Sequence, residues 1–244
     1  TLHDCAVACS EDENCNAITV YWHIGDSDEG LCRLFSECSE IYDEPNTETL
    51  TGDNCFSDVE SATATDYHYL SDDIKKMEDE ARIINSWSGN SYVKIPITNT
   101  KGISTKEVIN NLNKDGIKVN VTAIFTVEQV LEIMNCFDNS TNAIISVFAG
   151  RIADSGVDPM ETMIKCSEVI SSKKNVELLW ASSREILNIF QAEESNSNII
   201  TMPPDILEKI KFLNKNLNKF SLDTVNDFFK DASSAGFNIL EKDS

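Results

Sequence analysis

From residue 55 onward, short apolar strands alternate with amphipathic helices, and this alternation restricts the fold more than any other feature of the 244-residue sequence. Each strand candidate is a nearly continuous apolar run, which is typical of strands buried on both faces of a parallel sheet. One helix between successive strands predicts βαβ units, because parallel strands need a crossover connection. The predicted strands are 55–61, 92–97, 119–125, 143–148, 176–181 and 198–202, and the predicted helices between them include 105–112, 127–137, 159–171, 184–191 and 204–213.

Six strands at this spacing predict an α/β fold, namely an incomplete (β/α) TIM-type barrel of about six βα units that occupies residues 55–244. A doubly wound parallel sheet is the alternative. It ranks second because the sequence has no Gly-x-Gly-x-x-Gly turn of the kind that supports a dinucleotide site. Six strands cannot close an eight-stranded barrel, so we expect another segment or another chain to cover the open edges.

A lysine, Lys94, interrupts the apolar run VKIPIT at residues 93–98. Lysine is rarely buried without a reason, because the removal of an ammonium group from water is costly. One reason is a lysine that attacks a carbonyl carbon and forms a Schiff base. The alternative is an edge strand whose lysine extends to solvent on its long aliphatic stem.

Polar residues recur at the ends of the predicted strands, where barrels carry their chemistry. A carboxylate, a lysine, hydroxyl groups and two arginines together suit a phosphorylated carbonyl substrate, since the guanidinium fork matches phosphate oxygens. Taken singly, the hydroxyl groups could instead cap local backbone and the arginines could be solvated residues at helix starts. The residues at these ends are Asp58, Lys94, Thr122, Ser146 with Phe148 and Arg151, and Ser182 with Arg184.

Residues 1–54 form a second compositional regime and predict a separate, disulfide-rich α+β module. The first sixty residues hold fifteen acidic residues against Arg33 alone, and strands are predicted at 17–22 and 31–35. An even number of clustered cysteines predicts a disulfide framework in an oxidising compartment. Zinc is the rival interpretation, but C-x2-C knuckles are absent and the three histidines lack ligand spacing, so we expect no metal and no cofactor. The six cysteines are Cys5, Cys9, Cys15, Cys32, Cys38 and Cys55.

The cysteine-rich segment contains DCAVAC at 4–9, NCNA at 14–17, and CRLF at 32–35 with a cysteine close behind. In these residues it resembles the PAN/apple module. The resemblance implies a protein or carbohydrate partner rather than catalysis. It also implies nested disulfides, which would pair Cys9 with Cys38, Cys15 with Cys32, and Cys5 with Cys55.

Five motifs follow one another along the remainder of the chain, namely VKIPIT at 93–98, NVTAIF at 120–125, SVFAGRI at 146–152, WASSR at 180–184 and IITMP at 199–203. In these motifs the remainder, roughly residues 56–236, resembles the transaldolase and fructose-6-phosphate aldolase family. The resemblance implies a barrel that transfers a dihydroxyacetone unit between sugar phosphates through a lysine Schiff base, as in the pentose phosphate pathway.

Position by position, the resemblance implies a role for each strand-end residue. Lys94 matches the Schiff-base lysine, and Thr122 matches the threonine that helps to hold the catalytic water. Asp58 falls where the family has glutamate or glutamine, one methylene longer than aspartate. The substrate-binding positions are Ser146 in the dihydroxyacetone pocket, Phe148, whose phenylalanine favours transaldolase over the aldolases, and the phosphate-binding group Arg151, Ser182 and Arg184.

The sequence also departs from the family pattern, because the aspartate motif of the first strand and the Thr-Thr-Asn-Pro motif of the second do not occur. A strand at 18–22, with Asp26 as the acid, could replace the first strand. Two hypotheses follow. One is a transaldolase-type enzyme with altered acid–base groups. The other is an inactive structural or binding protein in a larger assembly, which combines the PAN-like module with a degenerate transaldolase domain.

Charge and hydropathy limit the partners. A formal net charge of −21 argues against nucleic acid and anionic membranes, and no apolar run is long enough to cross a bilayer. The sequence opens without a signal-like apolar stretch. We expect a secreted, lumenal or cell-surface location if the six cysteines form disulfides, and a cytoplasmic or plastid location otherwise.

Overall fold

The computed structural model describes residues 71–87 and 92–236 in full and residues 18–21 as a backbone strand. These described residues fall in two compact units that divide after Glu208. The strands are β1 (Ile18–Tyr21), β2 (Val93–Pro96), β3 (Val119–Ile124), β4 (Ala143–Val147), β5 (Val176–Trp180) and β6 (Ile199–Met202). The helices are α1 (Ile74–Trp87), α2 (Lys106–Lys114), α3 (Val127–Ile133), α4 (Ala149–Asp154), α5 (Met160–Ile170), α6 (Leu187–Glu194), α7 (Pro204–Leu207) and α8 (Leu217–Ser234), with 3-10 turns at Met134–Cys136 and Glu208–Phe212.

Five parallel strands, β2 to β6, lie side by side in the order in which they follow one another along the chain. Because each crossover has the same right-handed sense, sequential order places the connecting helices on one side of the sheet. A doubly wound sheet reverses its strand order at a switch point, and no reversal occurs among these strands. The α/β prediction is therefore confirmed, and the sheet is consistent with a partial TIM-type barrel.

The sixth strand of the sheet comes from the cysteine-rich segment. β1 pairs with β6 in the antiparallel direction, with Ile18 opposite Met202 and Tyr21 opposite Ile199. The alternative that 18–22 replaces the first parallel strand of the family is therefore wrong, because a barrel strand in that position runs parallel to its neighbour. The predicted strand 55–61, Asp58, the six N-terminal cysteines and the remainder of the PAN-like module lie outside the described residues.

The two faces of the parallel sheet differ in chemistry. Alternate residues along each strand point to opposite faces. On the outer face, which the helices cover, every strand presents buried apolar side chains. On the inner face, buried polar side chains sit among apolar ones. The outer face carries Val93, Ile95, Val119, Val121, Ile145, Val147, Leu178 and Trp180, and the inner face carries Tyr92, Lys94, Asn120, Thr122, Ile144, Ser146, Glu177 and Leu179.

The helices follow the predicted positions with small shifts at their ends. The predicted helix 127–137 ends as an α-helix at Ile133 and continues as a 3-10 turn. It begins at a capping box, in which Thr126 accepts the backbone N–H of Gln129 and the Gln129 side chain accepts that of Thr126. Helices α1 and α4 have no counterpart among the predicted helices, whereas the final helix, which the sequence predicts around 221–232, forms as α8.

The unit after Glu208 is helical over its described residues, 209–236. Within it, the Lys215 ammonium lies 4.1 Å from the centre of the Phe220 ring and 2.9 Å from an Asp223 carboxylate oxygen. None of the residues of α8 is buried. No helix in the described parts of either unit is both long and apolar enough to span a membrane.

Candidate active site

Lys94 lies on the inner face of β2, half-buried, and its Cα is in register with that of Asn120 on β3. Asn120 is 2% exposed, and its side-chain carbonyl oxygen accepts a hydrogen bond of 2.7 Å from the Ser146 hydroxyl. A buried polar pair is retained at little cost when its members satisfy one another. The inner face therefore places an amine, an amide and a hydroxyl group on three consecutive strands.

Thr122 occupies the same face, two residues beyond Asn120. Its hydroxyl oxygen is buried and makes no hydrogen bond with the described part of the protein. The next residue, Ala123, has a φ of +61° and belongs to a bulge, across which β3 uses three residue steps where β4 uses two. Thr122 faces inward by the ordinary alternation of the strand, and the extra residue lets Val121 and Ile124, on either side of the bulge, both stay buried on the outer face. The bulge thus returns β3 to its outer-face register after Thr122.

Aromatic rings and a cation meet at the carboxyl end of β4. The Phe148 ring lies 5.7 Å from the Phe125 ring, and the Arg151 guanidinium lies 5.3 Å from the centre of the Phe148 ring. Phe148 also packs against the inner apolar cluster that contains Ile144 and Leu179. A guanidinium over an aromatic face is stabilised by the ring quadrupole. Phe148 and Arg151 are therefore neighbours, as their spacing in the sequence predicts.

A second cation lies beyond the end of β5. The Arg184 Nε donates to both carboxylate oxygens of Asp154 at 3.0 and 3.1 Å, and Nη2 donates to Oδ2 at 2.5 Å. The Arg184 Nη1 donates to the carbonyl and hydroxyl oxygens of Ser182 at 3.0 and 3.1 Å. The hydrogen bond from Arg184 lowers the pKa of the Asp154 carboxyl, and the same bond raises the pKa of Arg184. Ser182 and Arg184 are thus brought together at this corner.

The segments that follow β4 and β5 are in contact at Gly150. A Cβ atom at Gly150 would lie 1.6 Å from the Ser182 carbonyl oxygen, so only glycine fits. Ser182 itself has a φ of +68°, which is left-handed and uncommon for a residue with a side chain. The glycine contact brings the loop that carries Arg151 against the loop that carries Ser182 and Arg184. This contact explains why two motifs thirty residues apart form one corner.

Two residues of this region were missed by the sequence reasoning. Asn120 could have been found, because it precedes Thr122 by two residues on one strand and so shares its face. Asp154 follows Arg151 by three residues and carried no signal of its own, since its partner Arg184 comes from another βα unit. Asp58 lies outside the described residues, so its place in the site stays a prediction.

The described residues hold no group of three or more histidine, cysteine or acidic side chains that could bind a metal ion. Cys136 and Cys166 are free and buried, and burial raises the pKa of both thiols, to about 12 for Cys166. A thiol with a raised pKa is a poor nucleophile. Neither thiol is therefore a candidate nucleophile.

The sequence is similar to known proteins. Residues 67–241 match the family described as Transaldolase/Fructose-6-phosphate aldolase. Over 136 residues the chain is 37% identical to proteins called probable transaldolase 2 in Listeria monocytogenes and Listeria innocua, which covers 55% of this chain and 59% of theirs. A probable transaldolase of Streptococcus pyogenes is 36% identical over 135 residues, with the same coverage.

The chain thus spans 59% of the length of the curated relatives that it matches. The matched family region begins before α1 and runs past the end of α8, so it contains β2 to β6 and every inner-face residue described above. The family match covers well over half of the sequence, and the chain belongs to the transaldolase/fructose-6-phosphate aldolase family.

Proposed function

We propose that this chain forms a Schiff base through Lys94 with a ketose phosphate and transfers a dihydroxyacetone unit to an aldehyde. The observation that carries the proposal is the inner-face arrangement in which Lys94 lies in register with Asn120, which is hydrogen-bonded to Ser146. A sheet face that needed only to pack would be apolar, as the outer face is. Three polar groups on adjacent strands favour a bound polar molecule.

The covalent steps balance as follows. The Lys94 amine attacks the ketone carbon of the substrate, and loss of water leaves a protonated imine. The bond between the third and fourth carbons then breaks, the hydroxyl proton of the fourth carbon leaves to a base, and an aldehyde departs. The electron pair of the broken bond forms an enamine on the lysine. The enamine attacks an acceptor aldehyde, and the base returns its proton to the new hydroxyl oxygen. Water then hydrolyses the new imine, which releases the product ketose and restores the Lys94 amine.

The other inner-face residues act in named roles in this proposal. The Ser146 hydroxyl and the Asn120 amide orient the hydroxyl groups of the dihydroxyacetone unit. The buried Thr122 hydroxyl has free donor and acceptor capacity, which suits the water that adds to the imine. Asp58, from the predicted strand 55–61, would serve as an acid–base carboxylate. Phe148 favours transfer over simple aldol cleavage.

The phosphate end of the substrate falls at the corner between β4 and β5. Arg151 and Arg184 supply two cations there, and Ser182 supplies a hydroxyl group held by Arg184. Guanidinium groups bind phosphate with directed, charge-assisted hydrogen bonds. The proposed substrates are therefore sugar phosphates rather than free sugars.

A second candidate is a protein that binds a sugar phosphate, or forms the imine, without turnover. The observation that favours it is the antiparallel pairing of β1 with β6, in the place where a closed barrel would carry its parallel first strand. In this form the PAN-like module would bind a protein or carbohydrate partner, and another chain could cover the open edges of the sheet.

Borohydride trapping tests both candidates. With fructose 6-phosphate present, we expect reduction to leave a stable adduct on Lys94, located by peptide mass mapping. Lys94→Ala should abolish the adduct, whereas Lys101→Ala, which removes an exposed lysine of the following loop, should not change it. An absent adduct, or one that persists in Lys94→Ala, refutes the Schiff base. An adduct without transfer to erythrose 4-phosphate identifies the second candidate.

A further inference from the structure

The ion pair between Arg184 and Asp154 joins two βα units at the phosphate corner. Asp154 is the last residue of α4, and Arg184 follows β5 by four residues. Both side chains are about half exposed, at 43% for Arg184 and 52% for Asp154. Ion pairs with that exposure contribute little to stability, typically about 0.2–1 kcal/mol. Stability alone is therefore a weak reason for three hydrogen bonds between these two groups.

The hydrogen bonds with Asp154 occupy one edge of the guanidinium. Asp154 takes the edge formed by Nε and Nη2, and Ser182 takes Nη1 through its carbonyl and hydroxyl oxygens. Arginine has five N–H groups, so one Nη2 hydrogen remains for a ligand. The Ser182 hydroxyl accepts from Nη1, which leaves its own hydrogen free to donate. These two remaining donors come from adjacent groups.

The backbone around Arg184 is fixed independently of Asp154. The Arg184 N–H donates to the Asn188 side-chain carbonyl oxygen at 2.7 Å, and the Ser183 hydroxyl donates to the Thr201 carbonyl oxygen at 2.7 Å. Gly150 abuts the Ser182 carbonyl oxygen. The loop is thus held by other contacts, and the part that Asp154 controls is the direction of the long Arg184 side chain.

We propose that Asp154 is a positioning residue that clamps one edge of Arg184, so that the guanidinium and the Ser182 hydroxyl together present their remaining donors to a phosphate group. The inference rests on the proposed function for the identity of the phosphate compound, and on the observed geometry for the clamp. A flexible arginine must lose rotamer entropy when it binds an anion, and a preset side chain avoids that cost. Asp154 also repels phosphate, but Arg151 on the same helix keeps the net charge of the three groups positive.

Three variants of Asp154 test the clamp. Asp154→Ala removes it, Asp154→Asn keeps its shape with one acceptor oxygen, and Asp154→Glu keeps the carboxylate. Glu168→Ala is the matched control, because it removes an exposed acidic group from α5. The first readout is the binding of inorganic phosphate, followed by phosphorus-31 line broadening. The second is borohydride trapping with fructose 6-phosphate and with unphosphorylated dihydroxyacetone.

We expect Asp154→Ala to weaken phosphate binding, and to raise the fructose 6-phosphate concentration for half-maximal trapping, by roughly tenfold, as when a charge-assisted contact is misplaced. Trapping with dihydroxyacetone should stay unchanged, because no phosphate is involved. Asp154→Glu should recover part of the loss, and Asp154→Asn should lie between the two. The control should match the unaltered protein.

Phosphate binding that is equal or tighter in Asp154→Ala overturns the clamp, since it would make Asp154 a competitor of phosphate rather than a support for Arg184. Equal losses with fructose 6-phosphate and dihydroxyacetone also overturn it, because they indicate general damage to the site. Failure of the proposed function has a different signature. In that case the unaltered protein gives no adduct with dihydroxyacetone, while the phosphate titration still reports on Asp154.

Discussion

The outer and inner faces of the parallel sheet are built from the same five strands, yet they follow different rules. On the outer face Ile95, Val121 and Ile145 are fully buried and apolar. On the inner face, their sequence neighbours Lys94, Asn120 and Ser146 are polar. Helix burial explains the first set, because apolar area removed from water stabilises the fold by about 25 cal/mol per Å². Packing does not explain the second set, which costs stability unless its members are hydrogen-bonded.

The difference shows that the residues that stabilise the fold alternate along each strand with the polar residues of the candidate site. A period of two residues separates them, so a one-residue change of register would exchange the two faces. The bulge at Ala123 makes a local change of register on β3, where one extra residue keeps Ile124 on the outer face after Thr122 has faced inward. Changes on the outer face should therefore alter stability, and changes on the inner face should alter binding and catalysis more than stability.

The largest effect is expected for Ile145→Ala on the outer face. Ile145 is fully buried, and loss of its side chain leaves a cavity between the sheet and its helices. We expect the free energy of unfolding to fall by about 2–5 kcal/mol, measured by urea denaturation. Leu131→Ala is the control: Leu131 is 54% exposed on α3, and its loss should change stability by less than about 1 kcal/mol. Equal losses at the two positions would contradict the assignment of Ile145 to the core.

A smaller loss of stability is expected for Ser146→Ala on the inner face. The change removes the donor for the buried Asn120 oxygen, which should cost about 1–3 kcal/mol. Adding Asn120→Leu removes the second polar group, so the double variant should regain part of that stability when both are measured by urea denaturation. Borohydride trapping should be impaired in both variants. If trapping were unchanged, the inner face would be structural and the comparison of the two faces would fail.

The smallest effect concerns the thiol of Cys166, which lies on α5. Burial raises its pKa from 9.0 to about 12, so at pH 8 the native thiol carries its proton and should resist N-ethylmaleimide. The folded state keeps this proton to higher pH than the unfolded chain does. Its contribution to stability is therefore complete below about pH 9 and declines as the pH rises from there towards 12. Peptide mapping of native and urea-unfolded protein measures the labelling. Equal labelling rates in the two states would mean that the reagent reaches Cys166 in the folded protein and that this thiol is not buried.

Much of the fold could be predicted from local pattern. The strands β2 to β6 appear where continuous apolar runs placed them, and the intervening helices lie within a few residues of their predicted ends, because both signals arise from periodicity. The direction of β1 could not be predicted, since a four-residue strand pairs in either sense. The helix α3 ends before the predicted residue 137, because its last turn tightens into a 3-10 turn. No residue pattern predicts that change.

The site was predictable in part for the same reason. Lys94, Thr122 and Ser146 lie at strand positions, and a residue's place on a strand fixes the face it occupies. The sequence places Arg151 and Ser182 in one phosphate-binding group only through the resemblance of their motifs to the family. The contact at Gly150 that joins their loops depends on how closely two backbones approach, and a sequence does not contain that distance.

The sequence by itself determined the alternation of strands and helices, the lysine in an apolar strand, and membership of the family, because each of these is written in residue order and spacing. Only the tertiary structure decided that Ser146 donates to Asn120, that Arg184 pairs with Asp154, and that β1 runs antiparallel to β6. Each of these is a contact between segments at least 26 residues apart. The physical reason is that such contacts depend on sheet register and loop approach, which the packing of the whole chain sets and no local pattern encodes.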